Sequence, residues 1–231
     1  MRRSAATPPR HPSIALTLRK IHITVRQQLI TPTYTIVTMS TLNLTAELER
    51  LIKDITDRVP ELGHIDPQRL LLCVTSTRGG GVHGTYAKIH PLRFAGGATS
   101  RTIRRRRRTF TCTMPAVTFQ GREMLYLIYF LVPRFLDLPL REKLITVFHE
   151  LYHIAPECNG DLRRFPGRNY AHGRSTKAYN ARMAELVDVY LAQPEAKDLA
   201  SFLDGDMDTL RARHDKVLAR KYPVPKLLVS A

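Results

Sequence analysis

Leu44, Leu48, Leu51, Ile52 and Ile55 recur at helical spacing, with Glu47, Glu49, Lys53, Asp54 and Asp57 filling the opposite side. This predicts an amphipathic helix running to about Arg58 and stopped by Pro60. Asp66-Pro67 then reads as a helix start or turn before the apolar run Leu70 to Val74. Thr85 to Phe94 and Arg108 to Phe119 are expected as strands. Gly121-Arg122 reads as a turn into Met124 to Val132, a buried strand by its length and its β-branched and aromatic content. Together these segments predict a small, mostly antiparallel sheet. From Asp137-Leu138-Pro139 the period changes, and Leu140, Leu144, Val147, Phe148 and Leu151 form the apolar stripe of a helix that Pro156 ends. A loop rich in Gly, Arg and Pro runs to about Arg174. Ser175 is placed to cap a second helix, in which Tyr179, Met183, Leu186, Val187 and Tyr190 repeat until Pro194. Further helix is expected as far as Arg220, interrupted at Asp204-Gly205-Asp206. The fold class is α+β.

The 231 residues, 43% of them hydrophobic, are enough to bury a core without covalent staples. Three cysteines with no CxxC pair exclude a disulfide framework and a cysteine-rich zinc module. Met124 to Val132, the longest apolar run, is far shorter than the ~20 residues a membrane-spanning helix needs. The stretch Ile14 to Leu18 is too short for a secretory core and is followed at once by Arg19 and Lys20. A cytoplasmic protein without a membrane partner is therefore expected. Arg78-Gly79-Gly80-Gly81 and Gly96-Gly97 read as loops, and the first lacks the Lys-Ser/Thr of a nucleotide-cradling loop.

Charge alters this picture in two places. The chain carries 36 Lys and Arg against 20 Asp and Glu, a net +16. Residues 1–38 contribute Arg2, Arg3, Arg10, Arg19, Lys20 and Arg26 and no acid. They are rich in Pro and Thr and lack a sustained helical period. Three readings stand for them: a basic disordered arm, an organelle-targeting segment, or upstream sequence translated from a misplaced start, since Met39-Ser40 directly precedes the first helix. The expected division is thus a segment 1–38, a domain 39–222 and an extended tail 223–231. The second place is Arg101 with Arg104, Arg105, Arg106, Arg107 and Arg108. These arginines are candidates for contact with the phosphates of DNA or another nucleic acid. They equally suit a solvated hairpin tip. Phe110 is the only ring in the run, so a base-stacking platform is not indicated.

The chemistry concentrates at His149-Glu150-Leu151-Tyr152-His153, an HExxH sequence inside the amphipathic helix. Residues i and i+4 share a helical face, so both imidazoles can reach one cation from the same side. Glu150 is offset enough to stay out of the metal's immediate ligands and to take a proton from a water beside it. Zn2+ suits nitrogen ligands and an open fourth position. A chain of this composition carries the pattern by accident about 0.01 times, so the match is informative. A catalytic zinc needs a third protein ligand. One candidate is His172, whose following Gly173 frees the backbone to turn into the second helix. The other is Glu185 on that helix, with Asp188 placed to orient a histidine. Cys158 and Asp161 lie close in sequence, but a loop leaving the helix end would struggle to return either to the metal. Tyr170 and Tyr179 are candidate donors to a tetrahedral oxyanion.

The runs His149-Glu150-Leu151-Tyr152-His153-Ile154, Asp161-Leu162-Arg163-Arg164-Phe165-Pro166-Gly167 and Tyr170-Ala171-His172-Gly173 resemble the phage-type metallopeptidases. Their order, HExxH and then a loop leading to His-Gly at a helix start, is similar to the SprT/Spartan-like metalloproteases. The resemblance implies a zincin-like core, a small sheet packed on a metal-binding helix with further C-terminal helices. It implies His149, His153 and His172 as ligands, Glu150 as base and a protein or peptide substrate. The chain departs from the SprT-like pattern in its longer, arginine-rich loop and in having no four-cysteine ribbon, so the resemblance does not extend to DNA-dependent action. The loop arginines Arg163, Arg164, Arg168 and Arg174 either line a cleft or pair with Asp161 and Glu157 to hold the loop. The competing functions are a basic nucleic-acid-binding protein with a structural or absent metal, and a zincin-derived binding protein without turnover.

Overall fold

The computed structural model describes residues 40–76, 85–166, 170–173 and 175–230. The segment 1–38, the loop 78–81, Arg168 and Arg174 lie outside them. A short strand β1 (Thr41–Asn43) leads into α1 (Leu44–Arg58). The Asn43 side chain caps this helix by accepting from the Ala46 N–H at 3.2 Å, and the chain leaves it at Val59-Pro60. The five apolar positions that predicted α1 are all buried. Asp66 then caps a single 3-10 turn, Pro67–Arg69, that delivers the chain to β2 (Leu70–Ser76).

Strand β3 (Ala87–Pro91) follows, then the hairpin of β4 (Ser100–Arg105) and β5 (Arg108–Thr113), the small hairpin of β6 (Val117–Phe119) and β7 (Arg122–Met124), and β8 (Tyr126–Val132). The single strand expected over Arg108 to Phe119 is divided at Met114-Pro115-Ala116, where proline removes a ladder donor. Helices α2 (Leu140–Tyr152) and α3 (Thr176–Leu191) come next, with Ser175 capping α3 through the Ala178 N–H. The C-terminal part holds α4 (Ala196–Ala200), α5 (Met207–Arg213), β9 (Lys216–Leu218) and β10 (Leu228–Ser230). The helix expected up to Arg220 therefore stops at Arg213, and Lys216–Leu218 pairs in parallel with β1 instead.

The central sheet has the order β2-β8-β3. β8 runs parallel to β2 and antiparallel to β3, so the sheet is mixed rather than mostly antiparallel. The physical sign of this lies in the strands themselves. Leu70 to Val74 and Tyr126 to Phe130 are buried throughout, which is how a strand covered on both faces reads. Alternate side chains serve two clusters: Leu70, Leu72, Ile128 and Phe130 face the helices, and Leu71, Cys73, Leu127 and Tyr129 face the β6–β7 hairpin. The helices are tied together on their side of the sheet. Phe148 of α2 meets Tyr190 of α3 with ring centroids 5.9 Å apart, and the Tyr190 hydroxyl donates to Asp54 of α1 at 2.7 Å. α2 is thereby clamped between the sheet and α3, which fixes the face it turns to β3. No helix among the described residues is long and apolar enough to cross a membrane.

Candidate metal centre

His149 and His153 lie one turn apart near the C-terminal end of α2, the second at its cap. Their ring centroids are 4.8 Å apart. His172 reaches them from the turn before α3, where Gly173 takes φ +66°. Its ring centroid lies 5.1 Å from that of His149 and 4.9 Å from that of His153. The Nε2 atoms of His172 and His149 approach to 3.2 Å, and one nitrogen from each of the three rings falls within 4.8 Å of the others. Two nitrogens bound to one tetrahedral zinc at ~2.05 Å lie about 3.4 Å apart, so the donor set is close to the spacing a metal requires.

The rings are held in place from outside the cluster. The Nδ1 of His149 meets Asn180 Oδ1 of α3 at 2.8 Å. A donor at Nδ1 fixes the tautomer that leaves Nε2 with its lone pair facing inward. Tyr179, the neighbour of Asn180, lies beneath all three imidazoles, with centroids 4.8, 5.3 and 5.0 Å from His149, His153 and His172. Burial and the nearby histidines push the His153 pKa down to about 3, and burial first, then His172, lowers that of His149. Both rings are thus neutral, the form that ligates a cation.

Glu150 is only 7% exposed, and burial pushes its pKa up to about 7, against the Ile89 N–H that donates to it. The geometry of β3 explains this contact. The Leu131 N–H donates to Tyr86 O at 2.8 Å and the Leu92 N–H to Leu125 O at 3.0 Å. Even-numbered residues of β3 therefore bond to β8, and Ala87 and Ile89 turn their N–H and C=O groups to the edge of the sheet. A cleft of about 630 Å³ opens there, lined by Tyr86, Ala87 of β3, Thr146, His149 and Glu150 of α2, and His172.

The loop after α2 folds back under the site. Ile154 and Leu162 form a bridge, the Arg163 N–H donates to His153 O at 2.7 Å, and the Arg163 guanidinium lies 4.3 Å from the centroid of the Tyr152 ring. The Tyr126 hydroxyl accepts from the Gly160 N–H and donates to Asp161 O at 2.8 Å. Gly160 is required here: at φ +90°, a Cβ would lie 2.5 Å from Arg93 Cγ.

A family model described as "Putative phage metallopeptidase" matches residues 42–177. The chain belongs to this family. No match emerged among curated proteins or among solved structures. The stretch shared with the phage metallopeptidases runs from β1 into the first turn of α3 and so contains all three imidazoles. Family and cluster together point to a metal-dependent peptidase, and hence to a protein or peptide substrate.

Apart from Tyr179, whose ring packs on the imidazoles, the remaining candidates of this phage metallopeptidase sit away from the cluster. Glu185 is exposed and paired with Arg182 at 3.0 Å, which also holds Glu61. Asp188 grips Arg141 of α2 with both oxygens, at 2.8 and 2.7 Å, and orients no histidine. Asn180 fills that orienting position; a polar residue one turn after a helix cap gives no sequence signal of such a role. Tyr179 turns its hydroxyl to the carbonyl of His149 at 3.4 Å, and the ring of exposed Tyr170 lies against Arg164. Cys158 accepts from the Asp66 N–H, and Asp161 pairs with Arg164 at 3.0 Å, so that arginine does hold the loop. Arg104 to Arg108 occupy the exposed tip of the β4–β5 hairpin.

Proposed function

We propose that this protein is a zincin-like, zinc-dependent peptide hydrolase, with His149, His153 and His172 as the ligands and Glu150 as the general base. The observation that carries the reading is the convergence of three imidazole nitrogens within 4.8 Å beside one buried carboxylate. Zinc bound there would polarise a scissile carbonyl and lower the pKa of water to ~7. Glu150 takes the proton of the attacking water and passes it to the departing amine. The edge of β3 supplies the substrate's register: the edge-facing N–H and C=O of Ala87 and the C=O of Ile89 receive an extended peptide as an added strand, while the Ile89 N–H stays with Glu150. Family membership supports this reading, as does the cleft that opens between that edge and α2. Purified protein is expected to hold about one zinc per chain, and chelation should stop hydrolysis of an unfolded protein substrate until Zn2+ is returned. Protein that holds zinc and leaves a broad peptide panel uncut would instead be a zincin-derived binding protein.

Asn180 acts through His149. Asn180→Ala should weaken zinc affinity about 10- to 100-fold, measured by competition with a chromogenic chelator, because the imidazole loses the partner that sets its tautomer. Asn180→Asp should keep the affinity, since a carboxylate accepts from the same N–H.

A second reading rests on the hairpin tip. Arg105 lies directly opposite Arg108, and Arg106 holds the turn at φ +56°. Like charges facing each other and a left-handed arginine both oppose folding. None of Arg104 to Arg108 has a carboxylate partner among the described residues. An arm kept at this cost suits the phosphates of a nucleic acid, and its tip, which projects as two strands beyond the pairing of β10 with Thr111–Thr113, fits a major groove. Binding to duplex DNA should weaken with salt at a log–log slope of on the order of −3 to −5. Replacing Arg104 to Arg108 by serine should abolish most of that slope, whereas chelation should leave it unchanged.

A further inference from the structure

A second cavity, of about 430 Å³, opens where β3 ends at His90 and Pro91. Pro91 lies two residues beyond Ile89, about 7 Å along the strand. It has no N–H to offer, so the edge available to a peptide stops here, and the next side chain of that peptide faces the cavity rather than the strand.

The charges around this cavity are unequally committed. Arg93 is spent: it pairs with Glu123 and donates to Leu92 O, and its side chain is 9% exposed. Asp161 is also spent, its oxygens accepting from the Gly96 N–H at 2.9 Å, the Leu162 N–H at 2.8 Å and Arg164 at 3.0 Å. Arg164 keeps the rest of its guanidinium at the rim, 5.7 Å from the centroid of the Tyr170 ring. Arg101 lies 5.6 Å from the centroid of the Phe94 ring and has no carboxylate partner among the described residues. Two guanidinium groups are thus steadied by aromatic rings at one small cavity, with N–H edges left over and no acid free to answer them. That is a site for a carboxylate.

We infer that this cavity is a specificity subsite which selects an aspartate or glutamate side chain of the substrate, two or three residues from the bond that is cut. The inference rests on the peptidase reading for the meaning of that bond, but not for the binding itself. Arg101 is the residue that decides the selection. Its replacement removes no hydrogen bond among the described residues, whereas Arg164 also holds Asp161 and the loop.

The test uses full-length protein carrying Glu150→Gln, so that bound peptide is not turned over. Fluorescein-labelled, alanine-rich octapeptides, with a single Glu, Gln or Lys walked through every position, are titrated by anisotropy. At one position Glu should bind about tenfold tighter than Gln, the worth of a charge-assisted hydrogen bond. That ratio should fall to about one when Arg101→Ala is added, and Arg101→Glu should invert it in favour of Lys, a gain that misfolding cannot imitate. Equal affinities for Glu and Gln at every position would overturn the subsite, as would a preference indifferent to Arg101. A duplex oligonucleotide whose affinity alone responds to Arg101→Glu would assign the cavity to nucleic acid instead. Wild-type protein separates the two readings. Hydrolysis without any Glu preference removes the subsite and leaves the peptidase, and a Glu preference in binding with nothing hydrolysed does the reverse.

Discussion

Glu150→Gln is expected to keep its zinc and to lose peptide hydrolysis by about 10³-fold, the span that general acid–base catalysis contributes. The side chain is 7% exposed and receives the Ile89 N–H, and the amide oxygen of glutamine can accept the same bond. Shape and strand contact therefore survive, and what disappears is a group able to carry a proton. Burial disfavours the carboxylate form, so the neutral amide should fold at least as stably, and the melting temperature should not fall. The measurement is zinc content and melting temperature beside kcat/KM on one peptide. Loss of activity with metal and stability intact isolates the proton-transfer role. Retained hydrolysis would remove Glu150 from the mechanism while leaving the imidazole cluster in place.

Much of this site is legible in the residue pattern, because its central part is local. HExxH places two rings on one helical face through the α-helical repeat alone, and the apolar stripe of α2 says which way that face turns. The ends of α1 and α3 are marked by Asn43, Pro60 and Ser175, whose capping and breaking chemistry acts over a few residues. What the pattern does not carry is long-range pairing. Parallel β2–β8 pairing joins segments more than fifty residues apart, and nothing at either strand but unbroken burial hints at it. The edge of β3 follows from that pairing, and so does the amide that meets Glu150. Asn180 and Tyr126 escape notice for the same reason: each acts by where the fold carries it, on His149 and on the loop at Gly160 and Asp161. Glu185 has a ligand's spacing in the sequence, and the fold places it in a surface network through Arg182, which also holds Glu61.

The second large effect separates His172 from Glu185. His172→Ala should bring zinc content from about one per chain to below about 0.1, with hydrolysis lost alongside, because two neutral imidazoles on one helix leave half a tetrahedron unfilled. Glu185→Ala should leave both properties unchanged, since its side chain is 66% exposed and bonded to an arginine at the surface. Surface pairs of this kind contribute about 0–1 kcal/mol, so stability should hardly move either. The comparison needs the metal-free proteins as a control. His172 stands on Tyr179 in the ring stack, and its removal could disturb the turn before α3 as well as the donor set. Equal melting temperatures of metal-free wild type and His172→Ala would assign the loss to ligation. His172→Cys then provides a rescue, because a thiolate can replace an imidazole in zinc's coordination while sharing none of its packing. Zinc kept by His172→Ala but lost from Glu185→Ala would require α3 to turn by about a third of a circle from the face it buries through Tyr179, Met183 and Leu186. In the proposed ligand set the third donor is therefore tied to the packing of α3: the residues that seat this helix against α2 turn Glu185 to the surface.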